Sequence, residues 1–152
     1  MRYVKKEFNL MIGERTAEEL KVAVGNVYPK NEDAKSMSMD VRGRSLISGL
    51  PQNIQITAEQ TREALQETVD QIVFVIYNVL EKTPPELASD ISEKGIIMTG
   101  GGSLLKGLDK LLSERTGIPV TVAENAVSAV AEGAGKAIEN LDMLSPNSLF
   151  RK

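Results

Sequence analysis

The chain has 152 residues, 41% of them hydrophobic, with 21 acidic against 18 basic side chains, enough for one ordinary domain or two small lobes around a real core. It has no cysteine and no histidine, which excludes disulfides, thiol nucleophiles, imidazole bases and the usual zinc ligands, leaving chemistry to Asp, Glu, Lys, Tyr or backbone. A net charge of -3 with no basic block interleaved with aromatics argues against a nucleic-acid partner.

The N-terminus, Met1-Arg-Tyr-Val-Lys-Lys-Glu-Phe8, has no apolar signal core, and the longest apolar run, Ile72 to Tyr77, is too short to span a bilayer, so a cytoplasmic chain is expected. Tyr3, Val4, Phe8, Met11 and Ile12 follow a helical period from the first residue with no capping residue ahead of them. This predicts a helix ending at Gly13 and a chain that continues upstream of Met1. Thr16-Ala-Glu-Glu19 spells a capping box for a second helix ending before Pro29, followed by a polar connection over 30–35. Met37, Met39 and Val41 alternate with polar residues as in a half-buried strand; Arg42-Gly43-Arg44 reads as a turn. Leu46-Ile47 continues toward Pro51, and Ile54 and Ile56 alternate with Gln55 and Thr57, completing an antiparallel meander.

Thr57-Ala-Glu-Gln60 is a further capping box. It launches a helix with Leu65, Val69, Ile72, Val73, Ile76, Val79 and Leu80 on one stripe, ending at Pro84-Pro85. Phe74, Val75 and Tyr77 widen that stripe nearly all round, which predicts a helix buried between two lobes. After a short helix over Glu86 to Glu93 comes a strand–helix–strand–helix run: Ile96 to Thr99, then Leu104 to Leu112, then Ile118 to Ala123, then Ala126 to Leu141. That alternation implies a parallel strand pair, with ligands outside the carboxyl ends of the strands. A two-stranded sheet is too small to stand alone, so further strands are expected upstream. Gly133 and Gly135 in the last helix are read as allowing close packing on a strand.

The segment Gly95-Ile-Ile-Met-Thr-Gly-Gly-Gly-Ser-Leu-Leu-Lys-Gly-Leu108 reads as a buried strand entering three glycines that open an amphipathic helix. Without Cβ atoms, Gly100, Gly101 and Gly102 let a ligand lie on bare backbone while amides at the helix start point outward. A simple tight turn explains such a run equally well. The dinucleotide fingerprint fails, because its third glycine position is Leu105. The Walker loop fails too: the only Gly-Lys pair, Gly135-Lys136, is followed by Ala137 and has Val130 at the leading glycine position.

Four segments in order carry a resemblance: Leu-Met-Ile-Gly-Glu-Arg-Thr-Ala-Glu-Glu-Leu-Lys at 10–21, Val-Arg-Gly-Arg-Ser-Leu-Ile-Ser-Gly-Leu-Pro at 41–51, Thr-Pro-Pro-Glu-Leu-Ala-Ser-Asp-Ile at 83–91, and Thr-Gly-Gly-Gly-Ser-Leu-Leu-Lys-Gly-Leu-Asp at 99–109. Over essentially its whole length the chain resembles the second half of MreB/Mbl-type bacterial actins. The resemblance implies an incomplete α/β actin-like (ribonuclease H-like) ATPase fold. Residues 1–92 would be a small α+β lobe like subdomain IIB with the long connecting helix, 93–144 a βαβα part of subdomain IIA, and 145–152 a flexible tail.

By the same resemblance, Thr99 to Leu104 match the family's adenosine motif, assigning Gly100, Gly101, Gly102, Ser103 and Leu104 to ATP. Glu18 and Lys21 match a Glu-x-x-Lys that encloses adenine and ribose. Residues three apart share a helix face, so this pair also reads as an ordinary surface ion pair. The family's phosphate loops, magnesium-holding carboxylates and membrane-binding element would all lie ahead of residue 1. This implies a chain inactive as an ATPase by itself and a membrane contact made only elsewhere in the parent protein. The implied function is that of an ATP-binding, filament-forming protein that determines rod cell shape by organising cell-wall synthesis, with other copies of itself, RodZ-like proteins and further elongation proteins as partners. Two other classes fit the glycine loop: an enzyme of the actin/Hsp70/sugar-kinase fold, and a free-standing interaction or filament-capping module. Glu124-Asn-Ala-Val-Ser-Ala-Val-Ala-Glu132 departs from the family's usual start of the last helix, which leaves the paralogue open.

Overall fold

The computed structural model describes residues 1–28, 30 and 36–140; the expected tail over 145–152, most of the polar connection and the end of the last helix at Leu141 lie outside the described residues. Helix α1 (Arg2–Phe8) is shorter than its periodicity suggests. Asn9 stops it in the left-handed region (φ 49, ψ 34), a conformation asparagine tolerates better than most side chains. Leu10–Met11 then forms β1 rather than more helix, with Leu10 opposite Ser45 and Met11 opposite Arg44.

Helix α2 (Glu14–Val24) starts one turn earlier than the Thr16 capping box requires. Extended Gly13 is its N-cap, no side chain caps it, and Thr16 sits inside the first turn. Strands β2 (Ser38–Ser45) and β3 (Pro51–Thr57) pair antiparallel from Ser38 opposite Thr57 to Arg44 opposite Pro51, so Arg42-Gly43-Arg44 is strand and not turn. Gly43 is there because β1 comes close: a Cβ on it would lie 2.5 Å from the Met11 carbonyl oxygen and 2.8 Å from Leu10 Cγ. The chain reverses instead over residues 46–50, where Ser45 Oγ accepts from the amides of Ile47 and Ser48 and the Ser45 amide donates to Leu50 O at 2.9 Å. The three strands run in the order β1-β2-β3. A first core of Val4, Leu10, Ile12, Leu20, Val24, Val41, Ile56 and Ala58 joins them to α1 and α2.

Helix α3 (Ala58–Glu81) begins as the sequence predicts. Thr57 Oγ1 accepts from the Gln60 amide and Gln60 Oε1 accepts from the Thr57 amide, satisfying two donors reciprocally. Its first residue, Ala58, belongs to the first core, whereas Val69 and Val73 belong to a second with Val27, Leu108, Leu111, Leu112 and Val120. Burial is one-sided. Phe74 is 65% exposed, and Val75, Tyr77 and Val79 also face outward, so the expectation of a helix enclosed all round does not hold for the described residues. Tyr77 still reaches α5, its hydroxyl donating to Arg115 O, and no described element covers Phe74, Val75 or Val79.

Helix α4 (Pro85–Lys94) has proline at its first position, where the lost amide has no helical partner anyway. Strand β4 (Ile96–Met98) pairs parallel with β5 (Val120–Val122), Ile96 opposite Val120, as the alternation predicts. Between them the glycines do not open the long helix. Gly101–Leu104 is a separate 3-10 turn, and α5 (Leu108–Thr116) starts only after Gly107; the leucine period across 104–112 conceals this break. Helix α6 (Ala129–Glu139) starts three residues later than predicted. A Cβ on Gly133 or Gly135 would meet nothing within 4 Å, so these glycines do not serve close packing among the described residues. No helix among the described residues is long and apolar enough to cross a membrane.

The outward apolar side chains of α3, together with Ile97, Val130 and Ile138, leave hydrophobic surface exposed, which favours association. The 152-residue chain is expected to associate with rising concentration in light scattering, and Phe74→Lys with Ile97→Lys to reduce this; a monodisperse monomer across the concentration range would refute the expectation.

Candidate functional site

The glycine run leaves β4 at its carboxyl end. Gly100 has φ 81 and ψ 166, backbone that only glycine adopts without strain, and its amide is held by Ala126 O at 2.6 Å. Ser103 is 6% exposed. Its hydroxyl donates to Gly100 O at 2.7 Å and its amide to the same oxygen at 3.1 Å, so Ser103 fastens the loop and turns no side-chain group outward. The amides of Gly101 and Gly102 donate to nothing among the described residues, as expected of the first turn of a helix. A Cβ on Gly100, Gly101 or Gly102 would meet nothing within 4 Å. Leu104, 58% exposed, adds an apolar surface beside these donors. Among the described residues the run is therefore bare backbone facing open space, with two free donors and one exposed hydrophobic side chain.

Glu18 and Lys21 lie on one face of α2, and Lys21 Nζ is 2.7 Å from Glu18 Oε2. Both side chains are largely solvated, so the pair contributes ~0–1 kcal/mol to stability. They line a groove of about 750 Å³ between α1, α2 and α3, shared with Tyr3, Gln60, Glu63 and Glu67. The glycine run is not part of this groove's lining. What links the two is the end of α2: the Gly25 amide donates to Lys21 O at 2.9 Å, and a Cβ on Gly25 would lie 3.3 Å from Leu105 Cδ1. Lys21 thus sits one helical turn from the residue that touches the chain just past the glycines.

That junction went unread in the sequence. Asn26 and Lys106 form an isolated parallel bridge, Val27 donates its amide to Lys106 O at 3.0 Å, and Lys106 Nζ donates to Ala23 O at 2.9 Å. Further along, Tyr28 Oη and Lys30 Nζ donate to the two oxygens of Glu114 at 2.8 and 2.7 Å. The Lys30 and Tyr28 hydrogen bonds hold the Glu114 carboxyl below its usual range; the bond to Glu114 in turn raises both Lys30 and Tyr28. The one available signal was Gly107, a glycine inside an apparent helix; the leucine period outweighed it.

With this geometry in hand, the structure is a partial actin-like fold. It superposes on MreB5 of Spiroplasma citri bound to ADP with a TM-score of 0.87 and 32% identity, covering 93% of this chain and 42% of that one; the same protein bound to AMPPNP aligns equally well. It also superposes on the MamK double helical filament, with a TM-score of 0.73 at 19% identity, a likeness of fold. The MreB/Mbl protein family matches residues 1–146, and the chain belongs to that family of cell shape-determining, nucleotide-binding actin homologues. It is 47% identical over 149 residues to the cell shape-determining protein Mbl of Bacillus subtilis, covering 98% of this chain and 44% of that protein. The chain therefore spans about two fifths of the length of its relatives.

Tyr3, which lines the groove, donates its hydroxyl to Glu63 Oε2 at 2.7 Å. Burial first, then that hydrogen bond and the charges of Glu63 and Glu7, push its phenol up to about 12 from an ordinary 10.0. A phenol raised in the fold stabilises it below the unfolded value and loses that contribution as pH climbs through the folded one. Its contribution to stability is thus expected to be whole up to about pH 10 and to be lost between about 10 and 12. Ultraviolet titration should lose its highest-pH phenolate step in Tyr3→Phe; loss of a step near the ordinary value would refute the assignment.

Proposed function

We propose that this chain supplies the adenosine-facing side of the ATP cleft in a filament-forming, actin-like protein that sets rod cell shape by organising cell-wall synthesis. Residues 1–92 would act as the IIB-like lobe with its long helix and 93–144 as part of the IIA-like lobe. The observation that carries this is the glycine run, whose bare backbone and free amides at Gly101 and Gly102 open to space beside the end of α2. In this reading adenosine lies along Gly100, Gly101 and Gly102, and Leu104 covers the base with apolar surface. Ser103 keeps the turn closed. Glu18 accepts from ribose hydroxyls, and Lys21 lies near the ring or the phosphates. The ADP and AMPPNP held by MreB5 and the filament formed by MamK support the nucleotide and the self-association. RodZ-like partners and membrane attachment as cytoplasmic filaments rest on the family resemblance.

Magnesium would neutralise phosphate charge on bound ATP. Among the described residues no group of three or more carboxylate, histidine or cysteine side chains could hold it. In this reading the residues named here contact the nucleoside, and no hydrolytic step is assigned to them. The chain is expected to release no phosphate at saturating ATP; turnover that survives repurification would overturn this.

Gly101→Val tests the site directly. Its Cβ meets no protein atom within 4 Å, so the variant should fold, as circular dichroism would verify, and still block a ligand from the backbone. Fluorescent-nucleotide titration should find no binding to Gly101→Val. Lys21→Ala, which loses one hydrogen bond to a charged group, should weaken affinity by about tenfold to a hundredfold. Unchanged binding in both would reduce the glycines to a turn and Glu18–Lys21 to a surface pair.

A further inference from the structure

Where α2 ends, two backbones come together too closely for side chains. Gly107 has φ 80, and a Cβ there would lie 2.5 Å from Tyr28 Cβ and 2.9 Å from Asn26 Oδ1. Asn26 itself is 4% exposed, and its Oδ1 accepts from the Tyr28 amide at 2.9 Å, bending the strand-like strap 25–28 so that Val27 can donate to Lys106 O and bury its side chain in the second core. Lys106 reaches back the other way, its ammonium on the Ala23 carbonyl, one of the last-turn acceptors of α2 that have no helical donor. A cation at a helix C-terminus is also favoured by the helix dipole.

The Asn26–Tyr28 bond shapes the strap itself; the other contacts join a residue just after Lys21 to a residue just after Leu104. We propose that this clasp sets the distance between the Glu18–Lys21 face of α2 and the glycine run, with Asn26 and Lys106 as positioning residues for the nucleotide. The inference rests on the adenosine reading above and adds to it residues that touch no ligand. The physical argument is one of linkage. A ligand held by both sides binds the closed arrangement better than a loosened one, so loosening the clasp lowers affinity even though every contacting group is still present. Asn26 acts by holding the strap in its bend; Lys106 acts by tying the α2 terminus down. Tyr28 and Lys30, on Glu114, anchor the far end of the same strap to α5.

The test is fluorescent-nucleotide titration of the 152-residue chain carrying Asn26→Ala, Asn26→Asp or Lys106→Met. Asn26→Ala and Lys106→Met should each weaken binding by about threefold to thirtyfold. Asn26→Asp, which keeps an oxygen acceptor for the Tyr28 amide, should restore most of the loss. In a Glu18→Ala, Lys21→Ala background, Asn26→Ala should add less than about twofold, because it acts through those residues. Equal loss in both backgrounds, or folded Asn26→Ala and Lys106→Met variants that bind like the parent, would overturn the proposal. Lys106 is exposed, so its variant decides the matter if Asn26→Ala does not fold. Should the parent itself bind no nucleotide, the adenosine reading fails separately. Hydrogen exchange then judges the clasp: Asn26→Ala must speed exchange at the Val27 and Tyr28 amides and over the last turn of α2, and unchanged rates would overturn it.

Discussion

The constraint on which the rest depends is that one helix serves two cores. The chain is short, and neither cluster of buried side chains is large. The first turn of α3 closes the core under the three-stranded sheet, and its middle closes the core over α5 and β5. The reciprocal hydrogen bonds of Thr57 and Gln60 therefore fix more than a helix terminus. They fix where β3 ends and where α3 departs, and thereby the position of Val69 and Val73 about three to four turns further along. A single covalent spine still leaves the halves free to rotate about it. The second crossing, through the strap at 25–28 and the turn at 105–107, removes that freedom.

The two crossings differ in kind. Along α3 the joining is hydrophobic and without direction: Leu65, Val69, Val73 and Ile76 pack on leucines of α5, and such contacts tolerate small shifts. At the strap the joining is by directional hydrogen bonds, from the Val27 amide to Lys106 O and from Lys106 Nζ to Ala23 O, and such bonds weaken steeply with distance and angle. A structure that must hold a small polar ligand between two elements needs the second kind close to the ligand. Here it lies immediately past both groups of candidate residues.

How far the sequence disclosed this follows from the range of each signal. The capping box at Thr57, the Leu65, Val69, Val73 and Ile76 part of the α3 stripe, the alternation of Met39, Val41, Ile54 and Ile56, and the strand–helix–strand order after Gly95 are all local, and they read correctly; Ile72 and Val79 of the same stripe are exposed. Errors arose where a local pattern was overridden by a distant contact. Gly43 looks like a turn residue because glycine is common in turns, yet it is strand because β1 lies against it, over thirty residues away in sequence. Met11 and Ile12 match a helical period, but pairing of β1 with β2 decides their conformation. The outward apolar side of α3 looked buried because hydrophobicity alone does not say which element covers it. Of the site, the glycine run and the Glu18–Lys21 spacing were legible. The strap was not, since nothing near Asn26 in the sequence announces Lys106.

Glycines make the same point. Gly43 and Gly107 are required by neighbours that a Cβ would strike. Gly133 and Gly135 meet nothing and sit inside a helix, where each costs about 1 kcal/mol relative to alanine; nothing in the structure explains them. Gly100, Gly101 and Gly102 share the empty surroundings of the second group but differ in the backbone they expose. Helix α6 uses its interior amides in its own hydrogen bonds, whereas Gly101 and Gly102 present theirs unspent at the carboxyl end of a strand, with the Ser103 hydroxyl and the Ala126 carbonyl used to keep them that way. Open space beside a glycine is therefore uninformative by itself. Open space beside a free donor, on a turn braced by buried hydrogen bonds, is what a small polar ligand needs, and in this chain that combination occurs at the glycine run that the clasp holds next to α2.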